Sequence, residues 1–409
     1  MKLARLLPAF AAAGVILAAC GSETPTGTNS PGGVTVPSDL SISSFTADFS
    51  YMQNLKPLTA AGKGKVGVIL PDTTSSTRYV DFDAPYLKKA FQAAGYSDSD
   101  FKIDNAQGND QTEIALAQAD ITAGASVLIM DPLNSTVGTQ IQQLAAQKGV
   151  KLISYDRATF TGTNTYYVSF DNVKVGSLIG QGFKQCLTDW KVSNPKVFVL
   201  NGGEDSDPNA VSFAQGYNQE LWGNNKTPQT PGTTNNGLTL IGDQVAPGWD
   251  NTKGGQIFQQ QYTAHKDINA TVEANDGLAN AVIQVLKNKG VKANAIPTTG
   301  QDATLQGMSN VLTGYQCGSV YKAVYLEAQA AVALGTVLRA GANAPQSLVN
   351  GNTTPPSGVS GNQQPAVLLT PIWVNKANMK DTVLKDQFVK TAELCSAVGQ
   401  AVCQANNIS

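Results

Sequence analysis

Charge is scarce in this chain. Of its 409 residues, 14% are Asp, Glu, Lys or Arg, against about a quarter in most soluble proteins. Asn, Gln, Ser, Thr and Gly fill the polar positions instead. The 28 basic and 30 acidic residues leave a formal net charge of −2. No basic surplus is present to neutralise a phosphate backbone, which argues against nucleic acid as a partner, and no acidic block forms a solvating tail. Histidine is nearly missing. His265 is the only one, late in a predicted helix beside Lys266, where it reads as a solvated helix-end cation. One His leaves neither a metal cluster nor a triad base, and no G-x-S-x-G occurs, so no metal, cofactor or catalytic residue is expected. Other motif matches fail on context. GKGKVG (62–67) precedes its strand, so no helix N-terminus can meet a pyrophosphate. In DSDFKID (98–104), Lys102 and Ile103 fall where a calcium loop needs an acid or amide and a glycine.

The apolar run from Leu6 to Ala19 is too short to cross a bilayer as a helix. It follows Lys2 and Arg5 and ends in LAAC, with Gly21 after Cys20. This predicts a lipoprotein signal over 1–20 and lipidation of Cys20. The protein is then anchored to the outer side of the cytoplasmic membrane, in the cell envelope or periplasm. One acyl chain holds only marginally, so several are expected. Residues 21–62 read as a flexible tether, because Pro, Gly, Ser and Thr dominate their first half. Cys186, Cys317, Cys395 and Cys403 remain, an even number in an exported chain, which suggests two disulfides. Three pairings are possible. Cys186–Cys317 with Cys395–Cys403 is preferred, and the others stay open.

Beyond the tether, apolar strands alternate with amphipathic helices. KVGVILP (65–71), FKIDNA (101–106), SVLIM (126–130), KLISY (151–155), KVFVLNG (196–202), LTLIGDQ (238–244) and TVEA (271–274) read as strands. YLKKAFQAAG (86–95), QTEIALAQADITAG (111–124), TQIQQLAAQKG (139–149), FAQGYNQELWG (213–223), GGQIFQQQY (254–262) and LANAVIQVLKNKG (278–290) read as helices. Such alternation predicts an α/β chain of parallel sheets covered on both faces. A division near YYVSFDNVKVG gives two doubly wound lobes. In parallel sheets the carboxyl ends of the strands line the ligand crevice. Those ends here carry Arg78 and Tyr79, Asn134, Asp156 and Arg157, Asp207 and Asn209, Trp249, Asn275, Gln301 and Asp302 (after IPTTG, read as a further strand), and Lys322. Asp276 is expected to cap the helix that follows Asn275. Carboxylates accept and guanidinium groups donate in fixed geometry, and an aromatic ring covers an apolar C–H face. That set suits a neutral sugar.

The order YDR, SFDNVKVG, GDQ…GW, AND, GQDA and VYK resembles the periplasmic sugar-binding proteins of ABC transporters, of the type 1 fold, and most closely their D-xylose-binding branch. The match runs from about Lys65 to about Lys322 and resumes at VLLTPIWVNKANM. The resemblance implies two lobes joined by a three-crossing hinge, near Asp171, Tyr321 and Thr370. Lobe 1 would be 63–171 plus 323–370, and lobe 2 would be 172–322 plus 371–409. It implies sugar contacts by Arg78, Tyr79, Asp156, Arg157, Asp207, Asn209, Trp249, Asn275, Asp302 and Lys322. Tyr79 stands where the branch has Trp. The loop before it is one residue longer, which leaves Asp72 unassigned. The insertions at 224–237 and 344–365 look like surface decoration, and the tail with Cys395 and Cys403 has no counterpart.

The expected function is capture of an aldose, D-xylose foremost, by a monomeric lipid-anchored protein. Closure of the hinge would trap the sugar for delivery to an ABC permease. A sugar sensor for a membrane receptor would use the same site. An exported carbohydrate-active enzyme fits less well. Two carboxylates could flank a glycosidic bond, but Arg157 beside Asp156 would depress its pKa and spoil it as an acid.

Overall fold

The structure is a computed structural model and describes residues 34–160, 165–203 and 207–408. Cys20, the signal segment and the first part of the expected tether lie outside these residues. Among the described residues thirteen strands are formed, in chain order: β1 (Lys65–Leu70), β2 (Phe101–Asn105), β3 (Ala125–Met130), β4 (Lys151–Tyr155), β5 (Thr165–Phe170), β6 (Lys196–Gly202), β7 (Thr234–Asn235), β8 (Leu238–Ala246), β9 (Ala270–Glu273), β10 (Ser319–Tyr321), β11 (Gly351–Thr353), β12 (Gln364–Leu369) and β13 (Ile372–Val374).

The larger sheet has the order β11-β12-β5-β4-β3-β1-β2 and is parallel except for the edge strand β11. Its inner strands β1, β3, β4 and β5 are largely buried because both faces are covered. Val66, Val68, Val127, Ile129 and Ile153 share a core with the helix Val324–Arg339. Ile69, Leu128, Met130 and Leu152 face the opposite way, onto Val137, Ile141 and Ala145 of the helix Ser135–Gln147. The smaller sheet, β7-β8-β6-β9, is parallel but for the β7–β8 hairpin. On it the helices Asn172–Asp189 and Pro208–Trp222 approach very closely. A Cβ on Gly176 would lie 2.0 Å from the carbonyl oxygen of Phe213, so only glycine permits the contact. The chain passes between the two sheets after β5, after β10 and between β12 and β13, and β10 and β13 form an antiparallel pair.

Several expectations need correction. Residues 34–62 do not all belong to a tether. Val36, Leu40, Phe45, Phe49, Met52, Leu55 and Leu58 are buried in the core of the larger lobe. Gln329 Nε2 donates to the Thr46 carbonyl at 2.9 Å, and Arg339 Nη1 to the Thr59 carbonyl at 2.8 Å. The Pro, Gly, Ser and Thr that suggested a tether continue past Val36, but from there they are interleaved with these apolar residues. IPTTG is not a strand, because beside β9 the Glu273 N–H goes to Thr299 Oγ1 and the Thr299 N–H to the Glu273 carboxyl, side chains taking the place of ladder partners. It still runs extended between β9 and β10, and the Val320 N–H reaches the Gly300 carbonyl at 2.9 Å. The insertions are more than decoration. Gln229 is buried with its N–H on Asp243 Oδ2 at 2.7 Å, and β11 edges the larger sheet.

Cys186 pairs with Cys317 and Cys395 with Cys403, with Cα separations of 5.8 and 5.6 Å. The tail that holds the second disulfide packs against both lobes. Phe388 stacks on Phe82 at 3.9 Å and lies 4.9 Å from Tyr321. Among the described residues, no helix is long and apolar enough to cross a membrane.

Leu55 separates the two readings of the N-terminal segment. In a tether, Leu55→Ala would cost almost nothing. Buried as found, its loss should lower unfolding free energy by about 2–5 kcal/mol, read from denaturant titration of the purified protein.

Candidate functional site

The loops that leave β1, β4, β6, β8, β9 and β10 converge between the lobes. Arg78, Tyr79, Asp156, Arg157, Asp207, Asn209, Trp249, Asn275, Asp302 and Lys322 all line one small cavity, with Ser75, Ser76, Phe213 and Gln301 added to them. The predicted residues are all buried. Asp156, Trp249 and Asp302 adopt left-handed backbone, with φ of 56°, 59° and 89°. This conformation costs non-glycine residues on the order of 1 kcal/mol or more and concentrates at ligand sites.

The lobes touch across the cavity. Ser76 Oγ donates to Asp302 Oδ2 at 2.8 Å, and Asn209 Nδ2 donates to the Asp156 carbonyl at 2.8 Å. Lys322, at the second crossing, lies 3.3 Å from Asp302 Oδ1 and 3.6 Å from Asp156 Oδ1.

Two arginines occupy this site in opposite ways. Arg78 is gripped. Its Nε and Nη2 donate to the two oxygens of Asp83 at 2.9 and 2.7 Å, Nη2 also donates to Glu327 at 2.7 Å, and Nη1 to Asp156 Oδ1 at 2.9 Å. Tyr155 donates to Asp83 and Tyr79 to Asp156 Oδ2 at 3.0 Å. Arg157 is held loosely. Its Nη1 is 3.4 Å from the Pro132 carbonyl, and its Nε is 3.6 Å from Asp207 Oδ2 and 3.9 Å from Asp131 Oδ1. Arg78 therefore sets the geometry, and of the two arginines Arg157 is the one with donor capacity left for a ligand.

Opposite Arg157, Asp207 begins the helix Pro208–Trp222. Its Oδ1 caps the Asn209 and Ala210 N–H groups, and its Oδ2 accepts from Trp249 Nε1 at 2.8 Å. The indole lies flat against Gly202, where a Cβ would come within 1.9 Å of it, and meets Phe213 edge-on at 6.2 Å. The cap assignment at the next helix is the reverse of that expected. Asn275 is the N-cap, accepting from the Leu278 N–H at 2.9 Å, and its Nδ2 faces the Ser75 carbonyl across the lobes at 3.4 Å. Asp276 is buried behind it, holding Gln316, Ser319 and Thr304. Asp72, left unassigned, ties the loop before Arg78 by accepting from Thr74 and Ser75. Among the described residues, Gln301 Oε1 and Asp302 Oδ1 are buried acceptors with no hydrogen-bond partner.

Burial raises the Asp156 pKa, but Arg78, Lys322 and Arg157 outweigh it and hold the carboxyl well below its ordinary value. Glu327 goes the other way. Burial pushes it up to about 8 in spite of Arg78. Sequence reasoning missed Asp83, Glu327 and Asp131, which lie inside apparent helix or strand-end segments and are drawn together only by Arg78 and Arg157. Gln301 stood among the strand-end residues of the sequence but not in the predicted sugar-contact set. Phe213 was read only as a helix residue.

A cleft between two doubly wound lobes, lined at the strand ends, is a ligand-capture architecture, and residues 66–342 match the periplasmic binding protein domain family. The chain is a periplasmic binding protein. It is 31% identical over 331 residues to the D-xylose-binding periplasmic protein of Escherichia coli (strain K12), covering 81% of this chain and 92% of that one. It is 29% identical over 349 residues to a multiple sugar-binding periplasmic receptor of Rhizobium radiobacter, covering 83% and 94%. An ABC transporter solute binding protein from Clostridium phytofermentans, solved with β-D-glucose, shares the fold at a TM-score of 0.69 and 22% identity, covering 80% and 99%. These periplasmic binding proteins capture ligands and are not enzymes, and the resemblance carried by the ordered motifs is membership of their family.

The two arginines should separate in a stability measurement without ligand. Arg78→Ala leaves the buried acids Asp83, Asp156 and Glu327 without their shared donor and should cost about 3–5 kcal/mol. Arg157→Ala should cost less than half as much, as read from denaturant midpoints and slopes.

Proposed function

We propose that this protein captures an aldose monosaccharide, D-xylose foremost, between its lobes and delivers it to the permease of an ABC importer. It acts as a monomer held by lipid at Cys20 on the outer side of the cytoplasmic membrane. The observation that carries the reading is the lining of the cavity. Arg157 and Lys322 supply donors, Asp302 and Gln301 supply acceptors, and Trp249 and Phe213 supply apolar faces. A sugar hydroxyl donates and accepts at once, so it satisfies both kinds of group. The relationship to the D-xylose-binding protein supports the choice of pentose. Sugar binding favours the closed form because residues of both lobes reach the ligand only when the cleft is shut. Hydrogen bonds to charged groups contribute about 1.5–3 kcal/mol each. Ordering and desolvation subtract from them, and a net of roughly 8 kcal/mol corresponds to about 1 μM.

Sensing is the second reading, favoured by the relative named a multiple sugar-binding receptor. The binding step is the same. Uptake of labelled D-xylose by cells with and without the gene distinguishes them, since a sensor alone leaves uptake unchanged.

Titration calorimetry with D-xylose, D-glucose, L-arabinose, D-galactose, D-ribose and myo-inositol tests the ligand class. Binding of D-xylose should weaken at least about tenfold in Arg157→Ala and in Trp249→Ala, a loss of about 1.4 kcal/mol each. Unchanged affinity in both would overturn the site. Cys20→Ser should abolish incorporation of labelled fatty acid.

A further inference from the structure

One carboxylate beside the cleft is out of keeping with its surroundings. Asp131, just beyond β3, is fully buried, and among the described residues neither of its side-chain oxygens has a hydrogen-bond partner. An unpaired carboxylate away from water is among the costliest groups a fold can bury. Its nearest cation is Arg157, at 3.9 Å. Arg157 in turn makes only long contacts, one of them 3.6 Å to Asp207 across the cleft. Asp131 and Arg157 follow adjacent parallel strands of one lobe, β3 and β4. Asp207 begins a helix of the other lobe. When the lobes separate, Asp207 leaves Arg157 and Asp131 stays.

We propose that Asp131 is the partner of Arg157 while the lobes are apart, and that closure draws the guanidinium off Asp131 toward Asp207 and the ligand. The inference rests on the sugar-capture reading above. Asp131 is then a positioning residue. It holds Arg157 in place in the open form and competes with the sugar for it, so it sets part of the affinity without touching the ligand.

A proton signature follows. Asp131 paired with Arg157 in the open form is a stronger acid than Asp131 in the closed form, where burial raises its pKa well above the ordinary value although Arg157 opposes the shift. Closure therefore takes up protons, and affinity rises as pH falls. The groups facing Asp131 and Arg157 must be counted with it. Arg78, Tyr79 and Asp83 come from the segment after β1, and Asp156 from the end of β4. Glu113 comes from the helix Asp110–Thr122, is pushed up to about 8 by burial, and accepts from the Leu133 N–H at 3.0 Å. All of these share a lobe with Asp131. Asp207 alone departs on opening.

The test is calorimetry of sugar binding by the mature protein at about pH 6 and about pH 8, each in two buffers of different ionisation enthalpy, using the sugar that the wild type binds. Wild type should take up protons on binding and bind more tightly at the lower pH. Asp131→Asn, which keeps the shape and removes the charge, should lose the uptake and bind at least about threefold more tightly than wild type at the higher pH. Glu113→Gln should keep the uptake. Weaker binding by Asp131→Asn, uptake unchanged in it, or uptake abolished by Glu113→Gln would each overturn the inference. Failure of the wild type to bind any sugar of the panel would overturn the functional reading, and this inference with it.

Discussion

The buried guanidinium of Arg78 is the constraint on which the cleft depends. Its partners come from separate parts of the chain: Asp83 from the turn that follows it, Asp156 from the end of β4, and Glu327 from the helix beyond the second crossing. A charge taken out of water is stable only if such partners surround it, and removing any one exposes the others to the full cost of burial. The ion cluster therefore fixes where the strand β4 ends, how the loop after β1 folds back, and how the helix Val324–Arg339 is seated. Asp156 can face the cleft as a firm carboxylate because Arg78 holds it there.

The contrast with Arg157 gives the site its character. One arginine is saturated by neighbours and shapes the wall. The other stands among long contacts and retains donors. Rigid positioning of the first and spare capacity in the second are what a binding site needs, since affinity comes from groups that are ordered before the ligand arrives. Trp249 shows the same economy. Its N–H is fixed by Asp207 and its face lies on Gly202, so the ring is held in place without help from a ligand. Contacts across the cleft by Ser76, Asn209 and Lys322 join the walls contributed by the two lobes.

Much of this was legible in the chain. The strands announced themselves because parallel strands buried on both faces are continuously apolar. The strand-end residues followed from the rule that such sheets bind ligands at their carboxyl ends. What misled was local composition. The N-terminal segment looked like a tether because its first half is polar and small, yet Leu55 and its apolar neighbours sit in the core. Asn275 and Asp276 both suit a helix cap by residue type. Which one caps depends on the buried donors Gln316 and Ser319, which claim Asp276 from forty residues away and more.

The sequence by itself determined the α/β class, the two lobes, the family and the set of residues at the cleft. Those properties are carried by periodicity, by short ordered motifs and by position after strands. Only the tertiary structure decided what each residue does there. Asp83, Asp131 and Glu327 are ordinary acids in the sequence. They become a clamp, an unpaired carboxylate and a group with a raised pKa because folding brings them to two particular guanidinium groups and removes the water. Charge pairing over long separations and the loss of solvent act through space, and neither leaves a local pattern in the chain.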